Sequence, residues 1–190
     1  MIVGDRLVIL VPAWEDWDPV SQKFLHGKET KLTLAHSLIS ISKWEMKYHK
    51  PYLTEEPKTM EETLDYVRFM TVANPNREIG DEVYRHLTME NMREIEQYIA
   101  DPMTATTFHR WNQKPGGRKI ITNEQIYYSM AAFGIPMECQ QWHFNRLMTL
   151  LEVAADANRD PKEKKMSVQD VYSRNRALNA MNRARFHSTG

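Results

Sequence analysis

Short apolar runs dominate the first 35 residues. Leu7–Val11 is rich in β-branched residues and predicts a strand. Gln22–His26 and Thr30–Ala35 predict two more strands, the second because apolar and polar residues alternate along it. Trp14–Pro19, which separates the first two strands, is rich in turn-forming residues. We therefore expect a small antiparallel sheet or hairpin over residues 1–35, with an irregular arm laid over the helices as the alternative.

From residue 36 onward, apolar residues recur every three or four positions, which is the spacing of an amphipathic helix. Capping residues divide the region before Pro102 into four predicted helical segments. Ser37 caps a helix that ends before Pro51. A capping box of Thr59 and Glu62 begins a helix that extends to about Val72. A short helical turn follows at Gly80–His86, and Thr88 caps the helix Met89–Ile99. The predicted inward residues are Leu38, Ile41, Trp44, Tyr48, Leu64, Val67, Met70, Met92, Ile95 and Ile99. Loops are predicted at Asn74–Asn76 and Asn112–Gly117.

Lys119–Leu151 is the most hydrophobic and aromatic stretch of the chain. Thr122 and Gln125 have the spacing of a capping box, and Gly134 marks the end of the helix that they begin. Pro136 suits the first turn of a second helix, which continues the apolar stripe past Leu151. The two helices predict a helical hairpin, and we expect this hairpin to supply most of the hydrophobic core.

A charged, Pro-containing linker, Arg159–Lys165, precedes a last helix opened by Ser167 and Asp170. Its apolar stripe consists of Val168, Val171, Tyr172, Leu178 and Met181, and its other faces carry mostly Arg, Asn and Gln. Such a helix gains little by folding alone and needs a packing partner. That partner is either the hairpin of the same chain or another subunit or protein.

These elements predict a mainly α (α+β) fold, a helical domain with a small N-terminal β-hairpin or sheet and a C-terminal basic helix. We divide the chain into an N-terminal β element (1–35), a helical core domain (36–158), and a charged linker with a basic amphipathic helix (159–190). A composition of 42% hydrophobic and 26% charged residues is ordinary for a globular protein. The single cysteine excludes an intrachain disulfide framework and suits the cytosol. No apolar run approaches the roughly 18 residues of a membrane span.

Charge is balanced overall but uneven along the chain. A formal net charge of zero gives the whole molecule no long-range attraction to nucleic acid or anionic membrane. Residues 162–190 hold seven Lys/Arg and two Asp/Glu, a local charge of +5, so the remainder carries −5. A basic run of this kind is ordinarily a solvated face.

The side chains that could bind a metal or act in catalysis are scattered along the chain. Cys139 and His143 are the only such pair placed four residues apart on a predicted helix face, and a zinc site needs three or four ligands. The carboxylate pairs Glu55–Glu56, Glu61–Glu62 and Glu94/Glu96 lie at helix starts or on polar faces, which the helix dipole explains. The motifs HExxH, CxxC, GxSxG and GxxxxGK[ST] are absent. We expect neither a metal nor a cofactor, and no catalytic activity.

The aromatic and methionine side chains have two possible uses. Trp44, Tyr48, Tyr52, Trp111, Tyr127, Tyr128 and Trp142 could stack on nucleic-acid bases, but most fall on apolar faces and are better explained as core. Of the twelve methionines, Met46, Met60, Met89, Met103 and Met137 lie near helix ends or loops. Flexible thioether side chains are typical of surfaces that accept variable apolar partners. Met60 and Met89 fit equally well as hydrophobic residues just inside helix caps.

Three segments carry a resemblance to a known family. They are LAHSLISISKWEMKYHKPYL (34–53), IITNEQIYYSMAAFGIPMECQQWHFNRLMTLL (120–151) and RNRALNAMNRARFHSTG (174–190). In matching order over residues 34–190, they resemble small proteins of tailed bacteriophages that are encoded near the tape-measure protein and read as tail assembly chaperones. Composition and spacing alone indicate a mostly helical domain, so the expected function comes from this resemblance.

The resemblance implies a non-catalytic protein that keeps the long tape-measure protein soluble during tail assembly and helps to recruit tail-tube subunits. The expected partners are the tape-measure protein, other tail proteins and further copies of the chain, in the bacterial host cytoplasm. We expect neither a membrane nor nucleic acid as a partner. The expected partner-binding residues are Arg174, Arg176, Leu178, Met181, Arg183 and Arg185. The alternatives are a structural component of the virion (tail tip, neck or capsid-associated) and a nucleic-acid-binding module acting through the basic helix.

Overall fold

The computed structural model describes residues 1–72, 79–108, 121–158 and 168–186, and within these ranges the fold is mainly helical with small antiparallel sheets at the N-terminus. The strands are β1 (Ile2–Val3), β2 (Arg6–Val11), β3 (Trp14–Asp18), β4 (Lys23–Gly27) and β5 (Thr30–Leu34). The helices are α1 (Leu38–Tyr48), α2 (Met60–Met70), α3 (Asp81–Arg85), α4 (Met89–Ala100), α5 (Asn123–Ala132), α6 (Phe144–Ala157) and α7 (Val168–Phe186). The predicted fold class is confirmed. The predicted loops at 74–76 and 112–117 and the linker 159–165 lie outside the described residues.

The main sheet has the order β1–β2–β5, with all neighbours antiparallel. Leu7 pairs with Leu34 and Ile9 with Leu32, so the buried residues of both strands point to one face. Beyond β5, the backbone N–H of Val72 donates to the Thr33 carbonyl over 2.8 Å, which covers part of that edge. The strands predicted at 7–11 and 30–35 are therefore confirmed, and the irregular-arm alternative is wrong.

The turn predicted at Trp14–Pro19 is wrong, because Trp14–Asp18 forms β3 and pairs with β4 as a separate two-stranded hairpin. The true turn follows at Pro19–Gln22, where the Asp18 carboxylate accepts hydrogen bonds from the backbone N–H groups of Val20 and Ser21. Hydrogen bonds from the Ser21 side chain and, next, from the Val20 backbone N–H lower the pKa of Asp18. Turn-forming residue types thus occupy a strand here because the neighbouring aromatic residues supply cross-strand contacts.

The first four helices begin close to the predicted positions. Ser37, Thr59 and Thr88 are N-caps whose side chains accept a backbone N–H three residues later, and each belongs to a complete capping box. His49 ends α1 in the left-handed conformation, with φ of 53°. On α4 the residues facing the core are Ile95 and Tyr98, and the predicted inward residue Met92 is only partly buried.

The predicted helical hairpin is correct for its first helix, whereas its second helix ends as predicted, before Asn158, but begins later than predicted. Gly134, with φ of 65°, ends α5 as expected. A 3-10 turn at Met137–Gln141 follows, and α6 begins only at Phe144, so the chain after Pro136 is not one continuous helix. Nor does this stretch supply most of the core. Of 21 buried apolar residues in the described ranges, seven (Ile126, Met130, Ile135, Cys139, Phe144, Leu147 and Leu151) belong to it.

The core joins the buried face of the main sheet to the helices. Leu32, Leu34, Leu38, Ile41 and Leu147 are fully buried in one cluster with Met70, Ile95 and Met130. The division of the chain at 35/36 and 158/159 stays a prediction. Within the described ranges, no helix combines the length and the apolar composition needed to cross a bilayer.

Candidate functional site

An open apolar groove lies between α5 and α6, with a volume of about 440 Å³. Its lining residues are Ile121, Gln125, Ile126, Tyr128, Ser129, Phe133, Met148, Leu151, Glu152 and Ala155. Ile126 and Leu151 form its buried floor, whereas the Tyr128 side chain is 76% exposed. Concave apolar surfaces of this volume are typical of ligand and helix-binding sites. Because ten residues of α5 rise about 15 Å, the groove can accommodate about three turns of a helix.

Tyr128 is exposed, whereas the sequence predicts that most aromatic residues of this stretch belong to the core. The signal was present in the sequence, however. Ile126, Met130 and Phe133 recur at helical spacing, and Tyr128 falls off that stripe by two positions. Its neighbour Tyr127 is partly buried and donates a hydrogen bond from its hydroxyl to Gln140 Oε1 over 3.0 Å.

The basic C-terminal helix is present as predicted, and α7 runs from Val168 to Phe186. Arg176 and Arg183 are exposed, Leu178 is partly buried, and Met181 is 59% exposed. Tyr172, on the same helix, is 74% exposed. Arg174 and Arg185 belong to the helix, and their side chains lie outside the described ones. The helix therefore presents arginines and apolar side chains to solvent together.

A second cleft, of about 500 Å³, contains Glu45, His49, Lys50 and Asn123. Glu45 is buried, yet both of its oxygens are engaged: Oε1 accepts the Tyr52 backbone N–H over 2.7 Å and Oε2 the Asn123 backbone N–H over 2.9 Å. The Asn123 side-chain amide donates to the same Oε2. The carboxylate thus acts as the cap of α5, and the predicted capping box is absent because Thr122 makes no side-chain cap.

Asp65 is a buried carboxylate surrounded by donors on α1 and α2. The Tyr48 hydroxyl donates to it over 2.6 Å, and Lys47 and Arg68 form ion pairs with it. Burial alone would raise the pKa of Asp65, but these three donors hold it below its usual value. Burial and the Asp65 hydrogen bond raise the pKa of Tyr48. Because three donors keep the Asp65 carboxylate ionised, Asp65 links α1 to α2 and is a poor proton acceptor.

A buried polar network connects β5, α1, α2, α4 and α6. His36 Nδ1 lies 2.6 Å from the Tyr66 hydroxyl, and the Tyr98 hydroxyl accepts the His36 backbone N–H over 3.0 Å. His143 Nε2 donates to the Tyr98 carbonyl over 3.0 Å, and its ring centroid is 5.1 Å from that of His36. Within the described ranges, His143 Nδ1 has no hydrogen-bond partner.

Burial dominates the electrostatics of this network. It lowers the pKa of His36 to about 3, helped by the nearby His143, and it also lowers the pKa of His143. Burial raises the pKa of Tyr66 well above its usual range. All three groups are therefore neutral near pH 7. The network lies inside the core rather than beside either cleft, so it specifies packing and offers no surface for substrate.

Sequence reasoning placed Cys139 and His143 on one helix face, and this is wrong. Cys139 lies in the 3-10 turn and His143 directly before α6. Across the described ranges, three or more His, Cys, Asp or Glu side chains never come together as a metal site would require. Of the methionines singled out, Met46, Met60, Met89 and Met137 are exposed, whereas Met103 packs against the core.

The β3–β4 hairpin is a further exposed apolar surface. Trp14 stacks on His86, with ring centroids 4.1 Å apart, and the His86 ring also pairs with Asp16 over 3.0 Å. Trp17 and Phe24 form an edge-to-face pair that remains open to solvent. The hairpin is thus anchored at its base and exposed beyond it.

No family model, curated protein or solved structure matches the chain.

Proposed function

We propose that the chain is a non-catalytic assembly protein of a tailed bacteriophage, which keeps the tape-measure protein soluble in the host cytoplasm until the tail forms around it. The observation that carries the proposal is the α5–α6 groove, an apolar surface left open to solvent on a protein with a well-formed core. Eight of its ten lining residues lie within residues 120–151, one of the three segments on which the resemblance to tail assembly chaperones rests.

The chemistry of the groove suits an amphipathic helix. Its floor is aliphatic, Met148 supplies an adaptable thioether, and Gln125, Ser129 and Glu152 place polar groups along the lining. A client helix would insert apolar residues spaced three or four apart into such a groove. A tape measure is long, so many copies are needed to cover it, and self-association follows from the proposal.

The buried ionisable groups of the described ranges are engaged within the fold. The buried acids Glu45 and Asp65 have their oxygens occupied by donors that belong to the fold. The buried histidines are enclosed in the core. These buried groups therefore stabilise the fold.

Co-expression with the adjacent tape-measure protein tests the proposal. The wild-type chain should move the tape-measure protein into the soluble fraction. The variant Gln125→Lys/Tyr128→Lys, which places two charges on exposed positions of the groove, should lose most of this effect. Met46→Lys is the matched control, because Met46 is 71% exposed on α1 and lies outside the groove.

Two outcomes would count against the proposal. One is an insoluble tape-measure protein in the presence of the wild-type chain, and the other is a groove variant as effective as the control. Mass spectrometry of purified virions separates the alternative role. A pure assembly factor should be missing from virions, whereas a tail-tip, neck or capsid-associated component should appear in stoichiometric amounts.

A further inference from the structure

We propose that His86 is a proton-dependent latch, which fastens the β3–β4 hairpin to α3 while its ring is doubly protonated and releases the hairpin when the ring loses one proton. The latch is a device within a single chain and does not depend on the proposed function. His86 directly follows α3, and its side chain lies against Trp14 and Asp16 of β3.

Both nitrogen atoms of the His86 ring face oxygen atoms. Nδ1 lies 2.7 Å from the backbone carbonyl oxygen of Glu82, and Nε2 lies 3.0 Å from Oδ2 of Asp16. A carbonyl oxygen can only accept a hydrogen bond, and so can a carboxylate oxygen. Both contacts are therefore hydrogen bonds only when each ring nitrogen carries a proton. Turning the ring over would place carbon atoms against both oxygens, so the contacts select the observed orientation.

The other neighbours of the ring also suit a cation. The His86 backbone N–H donates to the Val83 carbonyl over 3.3 Å, so the ring rather than the backbone takes the Glu82 carbonyl. Hydrogen bonds to the last carbonyls of a helix are a usual role of a basic side chain. The Trp14 indole stacks on the ring, with centroids 4.1 Å apart and planes 3° from parallel. The face of an indole attracts a cation, so this stack is stronger for a protonated ring.

Charged groups approach the ring from β3 and along α3. From β3 comes the Asp16 carboxylate, whose side chain is 58% exposed. The charged side chains of α3 are Asp81, which pairs with Arg68 over 3.3 Å, Glu82 and Arg85. The charged group in contact with the ring is thus a carboxylate, and a charge-assisted hydrogen bond holds a protonated ring more strongly than a neutral one.

Loss of one proton breaks the latch at one of its two hydrogen bonds. A neutral ring keeps a single N–H, so either the Glu82 carbonyl or the Asp16 carboxylate then faces a nitrogen lone pair. The ion pair and the attraction of a cation to the Trp14 indole disappear at the same step. Histidine is the side chain that ordinarily changes charge between about pH 5 and 8. The hairpin is therefore fastened at acidic pH and loosened at alkaline pH.

The hairpin depends on such a fastening because β3 and β4 form a two-stranded sheet of their own. An isolated two-stranded sheet is marginally stable in water. Its outer face also carries Trp17 and Phe24, which are 53% and 55% exposed and contribute little burial to hold it closed. Once the latch is released, the strands should separate more often, while β2 and β5 stay paired in the main sheet.

Nuclear magnetic resonance on the full chain tests the latch. At about pH 6, both ring nitrogens of His86 should show the chemical shifts of protonated nitrogens, and one should lose its proton as the pH is raised to about 8.5. Over the same range, the amides of β3 and β4 should open about tenfold more often, after correction for the intrinsic exchange rate, because a charge-assisted hydrogen bond is lost. The amides of β2 and β5 should not change.

Three variants show whether His86 is responsible. In His86→Gln the hairpin should open as often as in the alkaline wild type and should no longer respond to pH. Asp16→Asn keeps an acceptor but removes its charge, so the His86 ring should lose its proton at a lower pH. His26→Gln is the matched control, because His26 is an exposed histidine of the same hairpin, paired with Glu15 over 3.0 Å. It should respond like the wild type.

Measurements on the wild type alone can overturn the latch. A His86 ring that is neutral over the whole range would do so, and so would hairpin protection that does not change with pH. Among the variants, an undiminished pH response in His86→Gln, or a response lost in His26→Gln, would also overturn it, because the proton would then act elsewhere.

Discussion

The Glu45 carboxylate accepts the backbone N–H of Asn123 over 2.9 Å, across 78 residues of sequence. Through this contact a side chain of α1 caps the N-terminus of α5. The negative charge faces the positive end of the helix dipole and satisfies an N–H that Thr122 leaves without a side-chain cap. Because Glu45 also accepts the Tyr52 N–H, it fixes both the chain leaving α1 and the chain entering α5.

Replacing Glu45 by Ala should therefore lower the free energy of unfolding by about 2–3 kcal/mol, since buried donors lose a charged acceptor. Chemical denaturation followed by circular dichroism measures the change. Glu96→Ala is the matched control, because Glu96 is exposed on α4, and it should change stability by less than about 0.5 kcal/mol. Equal effects of the two substitutions would show that the Glu45 cap contributes nothing specific.

This contact also shows why part of the fold was predictable and part was not. Ser37, Thr59 and Thr88 act within their own helices, so local sequence identified them correctly. The cap of α5 comes from a residue 78 positions away, and no local pattern contains it. The strand Trp14–Asp18 was missed for the same reason, because its partners, Phe24 in the hairpin and His86 after α3, lie outside the segment itself.

The candidate site also has one part that local sequence predicts and one part that depends on residues distant in sequence. The basic helix was read directly from its residues, since charge and helical spacing are local properties. The groove was not predicted as a surface, because it exists only where α5 and α6 meet. Tyr128 could have been found from its position off the apolar stripe, but nothing local indicates that Met148 and Ala155 lie opposite it.

The second prediction concerns the substitution of Gly27 in β4. A Cβ built at this position would lie 2.0 Å from two atoms of the Trp14 indole, so Gly27→Ala must push Trp14 off its stack on His86. The hairpin should loosen locally by about 1–3 kcal/mol, as overpacking does elsewhere. Hydrogen exchange should rise in β3 and β4 and stay unchanged in β2 and β5.

Lys23→Ala, an exposed position on the same strand, controls for any general effect of substitution in β4. If Gly27→Ala exchanges like the wild type throughout the hairpin, the close contact between Gly27 and Trp14 does not hold the hairpin in place.

The exposed arginines of α7 should matter little for folding. Arg176→Ala/Arg183→Ala should change the free energy of unfolding of the core by less than about 0.5 kcal/mol, because both side chains face solvent. Arg146→Ala is the contrast: its guanidinium lies 4.1 Å from the Trp142 ring centroid and pairs with Asp5, so its loss should cost about 1 kcal/mol. Thermal and urea denaturation at low protein concentration measure both. A large loss for the α7 variant would mean that α7 belongs to the core.

Because His36 and His143 are buried, we expect the free energy of unfolding to fall in mild acid. Burial and the neighbouring His143 lower the pKa of His36 to about 3, and burial lowers the pKa of His143, whereas both titrate near 6.5 once unfolded. The unfolded chain therefore binds protons that the native core excludes. This contribution is complete above pH 6.5 and is lost as the pH falls below it, by up to about 1.4 kcal/mol per pH unit for His36 and in the same direction for His143.

Urea denaturation between pH 7 and pH 5 tests this, because the carboxyls Glu62 and Asp65, whose pKa values are lowered, lose their contribution only at more acidic pH. His36→Gln and His143→Gln should each be less stable at pH 7 yet show a flatter decline towards pH 5. The control is His26→Gln, since His26 is exposed and paired with Glu15 over 3.0 Å. It should keep the steep decline of the wild type. If the two core variants decline as steeply as this control, the core histidines do not govern the acid response, and the sensitivity must come from groups elsewhere in the chain.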